Sequence, residues 1–325
     1  MDAALAARGP IMSANGKWTA DDLPDLSGKN IIVTGGNSGI GYAAALQFAR
    51  KGASVILACR NLEKAGAAAT QIKAAYPAAD AAPMALDLAS LQSIREFAAS
   101  FRAGNRTLDI LCNNAGVMAL PYSRTADGFE MQLGVNHLGH FALTGLLLEP
   151  LLAAGAARVV NVSSGAHRMG SIRFDDLNWE HGYSKWRAYG QSKLANLLFT
   201  LELERRIKAH GAKLMAVACH PGYAATNLQA AGPKLEGAAL IESIFSVTNR
   251  YLAQSAAMGA LPTLYAATTA DVRGGEYFGP DGIAEMWGYP TRVKRSAAAQ
   301  DLSLAARLWT VSEAMTKVRF NALPA

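Results

Sequence analysis

Cysteine is scarce in this chain, and with it most of what would staple a fold or hold a metal. Among 325 residues only Cys59, Cys112 and Cys219 occur, far apart and in no Cys-x-x-Cys pair. That spacing excludes a disulfide framework and a zinc clip. Each cysteine follows an apolar run, the setting of a buried thiol in a reducing compartment. The six histidines form no His-x-x-x-His or Cys/His set with ligand spacing, so no metal is expected. Blocks of one charge are missing too. A net charge of +6 and pI near 9.2, with no dense Lys/Arg run or aromatic-studded basic stripe, describe a solvated basic surface rather than a nucleic-acid face. The longest apolar stretch, Leu138 to Leu152, is interrupted by His140, Glu149 and Pro150 and is too short to span a bilayer. Asp2, Arg8, Gly9 and Pro10 break any secretory signal core. The expectation is a soluble, cytoplasmic protein. At 51% hydrophobic and 17% charged residues, the chain has the material for a large core and none of the signature of disorder.

What is present centres on Asn30-Ile31-Ile32-Val33-Thr34-Gly35-Gly36-Asn37-Ser38-Gly39-Ile40-Gly41. A β-branched apolar run enters a glycine turn, and a helical pattern through Ala43, Ala44, Leu46, Phe48 and Ala49 leaves it. Strand, turn and helix in that order form a phosphate cradle, because backbone N–H groups and the helix N-terminus both face an anion. Gly35, Gly39 and Gly41 stand where a Cβ would obstruct the turn, the ligand or the helix–strand contact. The spacing is T-G-x-x-x-G-x-G, and its context of strand before and helix after marks a dinucleotide site.

Further apolar runs read as strands at 54–58, 82–86, 108–112, 158–162 and 214–218, with a short one at 276–278. Helical spacing covers 63–76, 91–101, 129–152, 188–209, 240–252 and 254–269, with a late helix around Trp309. Continuous apolar strands alternating with helices predict an α/β fold, a doubly wound Rossmann-type parallel sheet in a single domain. Residues 1–28 read as an N-terminal tail anchored by Trp18, and 29–325 as the domain, with 228–325 a substrate-binding extension. Polar clusters follow the strand C-terminal ends, where such sheets bind ligands.

The acidic residue that would hold a ribose 2′-hydroxyl is expected at the end of the second strand. That place reads Ala58-Cys59-Arg60-Asn61, with no carboxylate before Glu63. An Asp there would repel a 2′-phosphate, whereas Arg60 can fork onto one, so NADP(H) is expected over NAD(H). Tyr189 and Lys193 are one helical turn apart and share a face. A free phenol has a pKa of about 10, and a neighbouring ammonium is expected to lower it toward the working range for proton transfer. Tyr183 with Lys185 is set aside, since that spacing puts the two on different helix faces.

Four ordered motifs, Thr34–Gly41, Asn113-Asn114-Ala115-Gly116, Tyr189-Gly190-Gln191-Ser192-Lys193 and His220-Pro221-Gly222, resemble the short-chain dehydrogenase/reductase family over about residues 25–320. Within it the retinol dehydrogenase and WW-domain oxidoreductase branch is most similar. The resemblance implies a catalytic set of Asn136, Ser164, Tyr189 and Lys193. Tyr189 is then the acid–base residue, and Lys193 also holds the nicotinamide ribose. Ser164 donates to the substrate oxygen, with Ser163 the open alternative because the loop to Tyr189 is long. Asn136 holds a water of the proton relay. It further implies a cofactor trough of Gly35, Asn37, Ser38, Gly39, Ile40, Gly41, Arg60 and Asn61. The adenine pair Asp87 and Leu88 adjoins it, with Asn114, Ala115, Gly116, Pro221, Gly222 and Thr226. Apolar residues of 228–325, Gly275 to Pro290 among them, would form the lid of an apolar alcohol, ketone or aldehyde site. Pairing through the long helices after the fourth and fifth strands would make a homodimer. Two other functions occur on such a fold. A non-catalytic dinucleotide sensor or scaffold commonly lacks the Tyr or the Lys, and both are present. A sugar epimerase or dehydratase usually carries T-G-x-x-G-x-x-G, whose first gap between glycines is one residue shorter than here.

Overall fold

The computed structural model describes residues 16–104, 106–223 and 254–324. Apolar strands buried on both faces require a parallel sheet, and that is what forms. Strands β1 (Asn30–Thr34), β2 (Ser54–Cys59), β3 (Asp80–Ala85), β4 (Ile110–Asn113), β5 (Ala157–Val162), β6 (Leu214–Cys219) and β7 (Tyr277–Pro280) run parallel. β8 (Pro290–Arg292) closes the sheet antiparallel to β7. The order is β3-β2-β1-β4-β5-β6-β7-β8. The direction of strand progression reverses between β1 and β4, which opens a crevice above their carboxyl ends. Pro83 and Pro290 lie in the two edge strands, where a missing N–H breaks no inner ladder.

The pleat divides β1 between two cores. Ile31 and Val33 pack on the side covered by α1 (Gly39–Arg50) and α2 (Leu62–Ala75), while Ile32 faces the side of α3 (Leu91–Ala103). α2 buries Ala65, Ala68, Ala69 and Ile72, a single stripe at helical spacing, and Asn61 caps its start by accepting from the Lys64 N–H at 2.8 Å. Trp18, Leu23 and Leu26 are buried in the α1 core, with Trp18 edge-on to Tyr265 at 5.2 Å.

The continuous helix expected over 129–152 is a correction. The chain forms α4 (Met131–Leu133), a π turn (Gly134–Leu138), α5 (Gly139–Leu146) and α6 (Leu148–Ala153). The buried Glu130 carboxylate opens α4 by accepting from the Gln132 and Leu133 N–H groups. Pro150 falls in the first turn of α6, where its missing N–H costs no hydrogen bond. β5 is followed by a 3₁₀ turn (Gly165–Met169) and then α7 (Lys185–Ala209), which begins three residues earlier than its sequence pattern. Tyr183 precedes that helix, so the face argument against it does not apply. Its hydroxyl donates to the Leu120 carbonyl at 2.8 Å and accepts from Gln132 Nε2 at 2.9 Å.

The expected helix over 254–269 is α8 (Ala256–Thr268), and the late one is α9 (Leu302–Thr316). The expected helix over 240–252 lies outside the described residues. α9 and the segment after it cover the outer side of α5 and α7, where Phe141, Phe199, Trp309 and Phe320 meet at ring separations of 4.5–6.3 Å. Pairing two copies through α5 and α7 would have to displace that cover. Among the described residues no helix is long and apolar enough to cross a membrane.

Candidate active site

The crevice is stitched by one hydroxyl. Thr34, at the end of β1, accepts from the N–H groups of Asn114 and Ala115 at 2.9 Å each, and Asn114 Nδ2 returns a hydrogen bond to the Thr34 carbonyl at 2.8 Å. With both lone pairs engaged, the Thr34 hydroxyl can only donate, and its proton is shared between Nε2 of buried His140 at 2.9 Å and the Cys112 carbonyl at 3.2 Å. Nδ1 of that ring then carries the proton and donates to the Asn136 carbonyl at 3.0 Å. Burial holds His140 neutral, with its pKa pushed down to about 4. A single ring thus ties the glycine turn and the end of β4 to the π turn that carries Asn136.

Above this knot two clefts share Gly35, Asn37, Ala115, Gly116 and Val117 and form one trough. The inner cleft, about 360 Å³, is lined by Gly35 and the turn from Asn37 to Gly41, by Asn114 to Val117, and by Ser163, Tyr189, Lys193 and Pro221. The outer one, about 310 Å³, is lined by Arg60, Asn61, Lys64, Asp87 and Leu88 among others. A Cβ on Gly41 would lie 2.4 Å from the Gly35 carbonyl and 2.5 Å from Asn114 Nδ2, so only glycine lets α1 start this close to the turn. Ser38 is the N-cap of α1, and its side chain makes no capping hydrogen bond. First-turn N–H groups therefore face the cleft with the positive end of the helix behind them, which fits a pyrophosphate. Arg60 and Lys64 are both exposed at the far end. Lys64 belongs to no motif of the sequence, and its place four residues beyond Arg60 is the one signal that pairs the two.

At the inner end Tyr189 and Lys193 are buried on one face of α7. Lys193 Nζ lies 5.7 Å from the Tyr189 ring centre and donates to the Val162 carbonyl at 3.1 Å. The expected lowering of the phenol pKa by this ammonium is a correction. Burial pushes Tyr189 up to about 12, opposed only by the Ser164 hydroxyl, and pushes Lys193 down to about 8. Both charges are penalised by the same dry surroundings. The two serines separate clearly. Ser163 donates its hydroxyl to the Lys193 carbonyl at 2.8 Å, whereas Ser164 is the group that touches the phenol. Asn136 is wholly buried. Its amide accepts from the Val117 N–H at 2.8 Å and donates to the Val117 carbonyl and to Ser192 Oγ at 2.9 Å each. Ser192 passes the contact on to the Tyr189 carbonyl at 2.8 Å. The side-chain NH₂ is fully engaged, and the Asn136 main-chain carbonyl, which accepts from His140 Nδ1, keeps a second lone pair that could take a water. Gly222 adjoins Pro221 at the mouth, and Thr226 lies outside the described residues.

A profile described as short chain dehydrogenase matches residues 29–234. Human retinol dehydrogenase 13 is 45% identical over 291 residues, covering 88% of this chain and 84% of that protein. Mouse retinol dehydrogenase 12 is 43% identical over 289 residues, covering 88% and 86%. Among solved structures, an uncharacterised protein from Mycobacterium Paratuberculosis has a TM-score of 0.77 at 45% identity, covering 94% of this chain and 99% of that one. A Shigella flexneri chain described as a short chain dehydrogenase complexed with NADP has a TM-score of 0.60 at 25% identity, covering 78% and 97%.

Proposed function

The chain belongs to the short-chain dehydrogenase family, and from that premise we propose that it is an NADP(H)-dependent oxidoreductase acting between an apolar alcohol and its aldehyde or ketone. The observation that carries this reading is the single trough with Tyr189 and Lys193 at its dry end, the phenol in contact with the Ser164 hydroxyl, and Arg60 with Lys64 at its wet end. The bound nicotinamide would supply or accept the hydride. The chain's own residues do the rest. Gly35 to Gly41 and the start of α1 hold the pyrophosphate. Asp87 and Leu88 flank the adenine, and Arg60 and Lys64 pair with a 2′-phosphate, which a ribose hydroxyl could not match in charge.

In the reductive direction the Ser164 hydroxyl donates to the carbonyl oxygen, and Tyr189 gives that oxygen its proton as hydride reaches the carbon. A phenol held protonated by burial is ready for this step. In the oxidative direction the alcohol proton passes to the phenolate, which a charged Lys193 favours. Asn136 keeps Val117 and Ser192 in register around the pair, and its carbonyl is the place for a relay water. An apolar substrate is supported by relatives named for retinol, an apolar alcohol. Trp186, 43% exposed, also stands edge-on to Tyr189 at 6.5 Å beside the proposed reaction centre. A cytoplasmic location suits three buried free thiols.

The test is a titration of the purified chain with NADPH and NADH by fluorescence, followed by turnover of a panel of apolar carbonyls and alcohols, retinal and retinol included. Tighter NADPH binding with turnover of apolar members is expected. No uptake of either nucleotide would end this reading.

A further inference from the structure

The segment after β7 carries a carboxylate that none of the motifs contains. Glu285 lies where three stretches of chain meet, and its two oxygens are matched to two different donors. The first is His220. Its Nδ1 accepts from the Gly222 N–H at 3.2 Å, so the ring's proton is on Nε2, which donates to Glu285 Oε2 at 3.0 Å. The second is Arg168, whose Nη2 donates to Glu285 Oε1 and to the Lys294 carbonyl, both at 2.9 Å. Arg168 belongs to the 3₁₀ turn that starts beside Ser164, and His220 begins the loop that brings Pro221 to the trough.

Two more contacts bind the same stretches. His167 donates from Nδ1 to the Ser164 carbonyl at 2.7 Å, and its Nε2 accepts from the Ser296 N–H at 3.2 Å. The Tyr223 N–H donates to the Met286 carbonyl at 2.8 Å, and a Cβ on Gly222 would come within 2.5 Å of that oxygen. Strap and cofactor loop are therefore in backbone contact. Ala284 and Glu285 both have positive φ, 52° and 58°, which non-glycine residues keep only where surrounding bonds impose it.

We propose that Glu285 is a positioning residue that latches the 283–296 strap onto both the Ser164 turn and the Pro221–Gly222 loop, setting the catalytic serine and the cofactor loop in register. This role in turnover rests on the reading under Proposed function, whereas the latch itself is a property of the chain alone. A carboxylate is required at this point. Glutamine has one acceptor oxygen, and its NH₂ would have to face either the Arg168 guanidinium or the His220 N–H. His220 cannot change tautomer without giving up Gly222.

The test uses the full chain and hydrogen exchange read by mass spectrometry without nucleotide, on wild type, Glu285→Gln and Arg168→Gln. Glu285→Gln is expected to speed exchange about tenfold or more in peptides covering 164–169 and 220–223, with β1 to β4 unchanged. That size is what loss of a hydrogen bond to a charged group allows. Arg168, 45% exposed, is the safer variant if Glu285→Gln folds poorly, and its substitution should loosen 164–169 more than 220–223. In turnover, Glu285→Gln should raise KM for the nucleotide more than it lowers kcat, and the double variant should be no worse than Glu285→Gln alone. Exchange within twofold of wild type in both segments, in a folded variant, overturns the latch even if the enzyme is active. A wild type that binds no nucleotide refutes the enzymatic reading, while the exchange result still decides the latch.

Discussion

The two ends of the trough hold cations in opposite surroundings, and the contrast separates recognition from chemistry. At the outer end Arg60 and Lys64 are exposed, so their charges stay solvated and available to an arriving anion. At the inner end Lys193 is 3% and Tyr189 5% exposed, and burial, outweighing smaller opposing contacts, moves one to about 8 and the other to about 12. A charge in water selects at low cost to the fold. Stripping away water penalises the charged form, which brings Lys193 nearer neutral pH and keeps the Tyr189 phenol protonated, and the neighbours must be fixed to keep both there. Hence the inner end is backed by the Thr34–His140–Asn136 chain and by Ser192, whereas the Arg60 side chain stands exposed at the outer rim.

The largest effect expected from breaking that contrast is at Tyr189. Tyr189→Phe keeps the ring and its packing and removes only the transferable proton. It should cost about 10²- to 10⁴-fold in kcat while the nucleotide dissociation constant stays within about twofold. Stopped-flow turnover beside fluorescence titration checks both halves. Near-normal kcat would remove Tyr189 from proton transfer.

The dryness behind the inner end has its own signature in acid. His140 is held at about 4 and His137 at about 3, both by burial, against about 6.5 when unfolded. Folded-state values below the unfolded ones mean that their neutral forms support the fold above about pH 6.5. That support is lost as pH falls toward 4, because the unfolded chain takes up protons first. For each histidine the slope approaches about 1.4 kcal/mol per pH unit below the unfolded value, so with both together stability should fall by roughly 3 kcal/mol between pH 6.5 and pH 5. Urea unfolding at those two values measures it. A flat profile would mean that water reaches these rings.

How much of this was legible in the sequence follows from how local each feature is. The glycine turn and Tyr-x-x-x-Lys are each contiguous, and strand runs such as Val55 to Ala58 announce burial on both faces, so architecture and motif positions could be read directly. β8 could not, since Pro-Thr-Arg has no apolar run and joins the sheet only through β7. The π turn escaped because periodicity reports which face is apolar, not which carbonyl a given N–H reaches. The direction of the Tyr189 shift escaped because spacing shows a neighbouring ammonium and says nothing of desolvation. Arg168, His220 and Glu285 are more than fifty residues apart in sequence, and only the fold brings them together.

At the outer end the expected effect is smaller and selective. Arg60→Ala should weaken NADPH about tenfold or more, the scale of one hydrogen bond between charged groups, and leave NADH nearly unchanged. Lys64→Ala should act in the same sense but less, since an ammonium is a point charge without the guanidinium fork. Isothermal titration with both nucleotides decides the matter. Equal losses for the two would mean that these cations do not read a 2′-phosphate.

The smallest effect expected lies between the two ends, at the rim. Trp186 is the residue three before Tyr189 on α7, half exposed, with its ring edge-on to the phenol ring at 6.5 Å. An aromatic edge contact is worth about 0.5–1.5 kcal/mol beyond the area it buries, which converts to roughly two- to tenfold in binding. If that ring forms a wall for the apolar part of a substrate, Trp186→Ala should raise KM by that factor for a long apolar carbonyl such as retinal. It should leave a short aldehyde almost unaffected, because the short one does not reach the wall. The nucleotide constants, set in the trough below, should not move. A parallel rise in KM for long and short substrates would assign the ring to holding Tyr189 in place instead, and a fall in kcat for both would say the same more strongly.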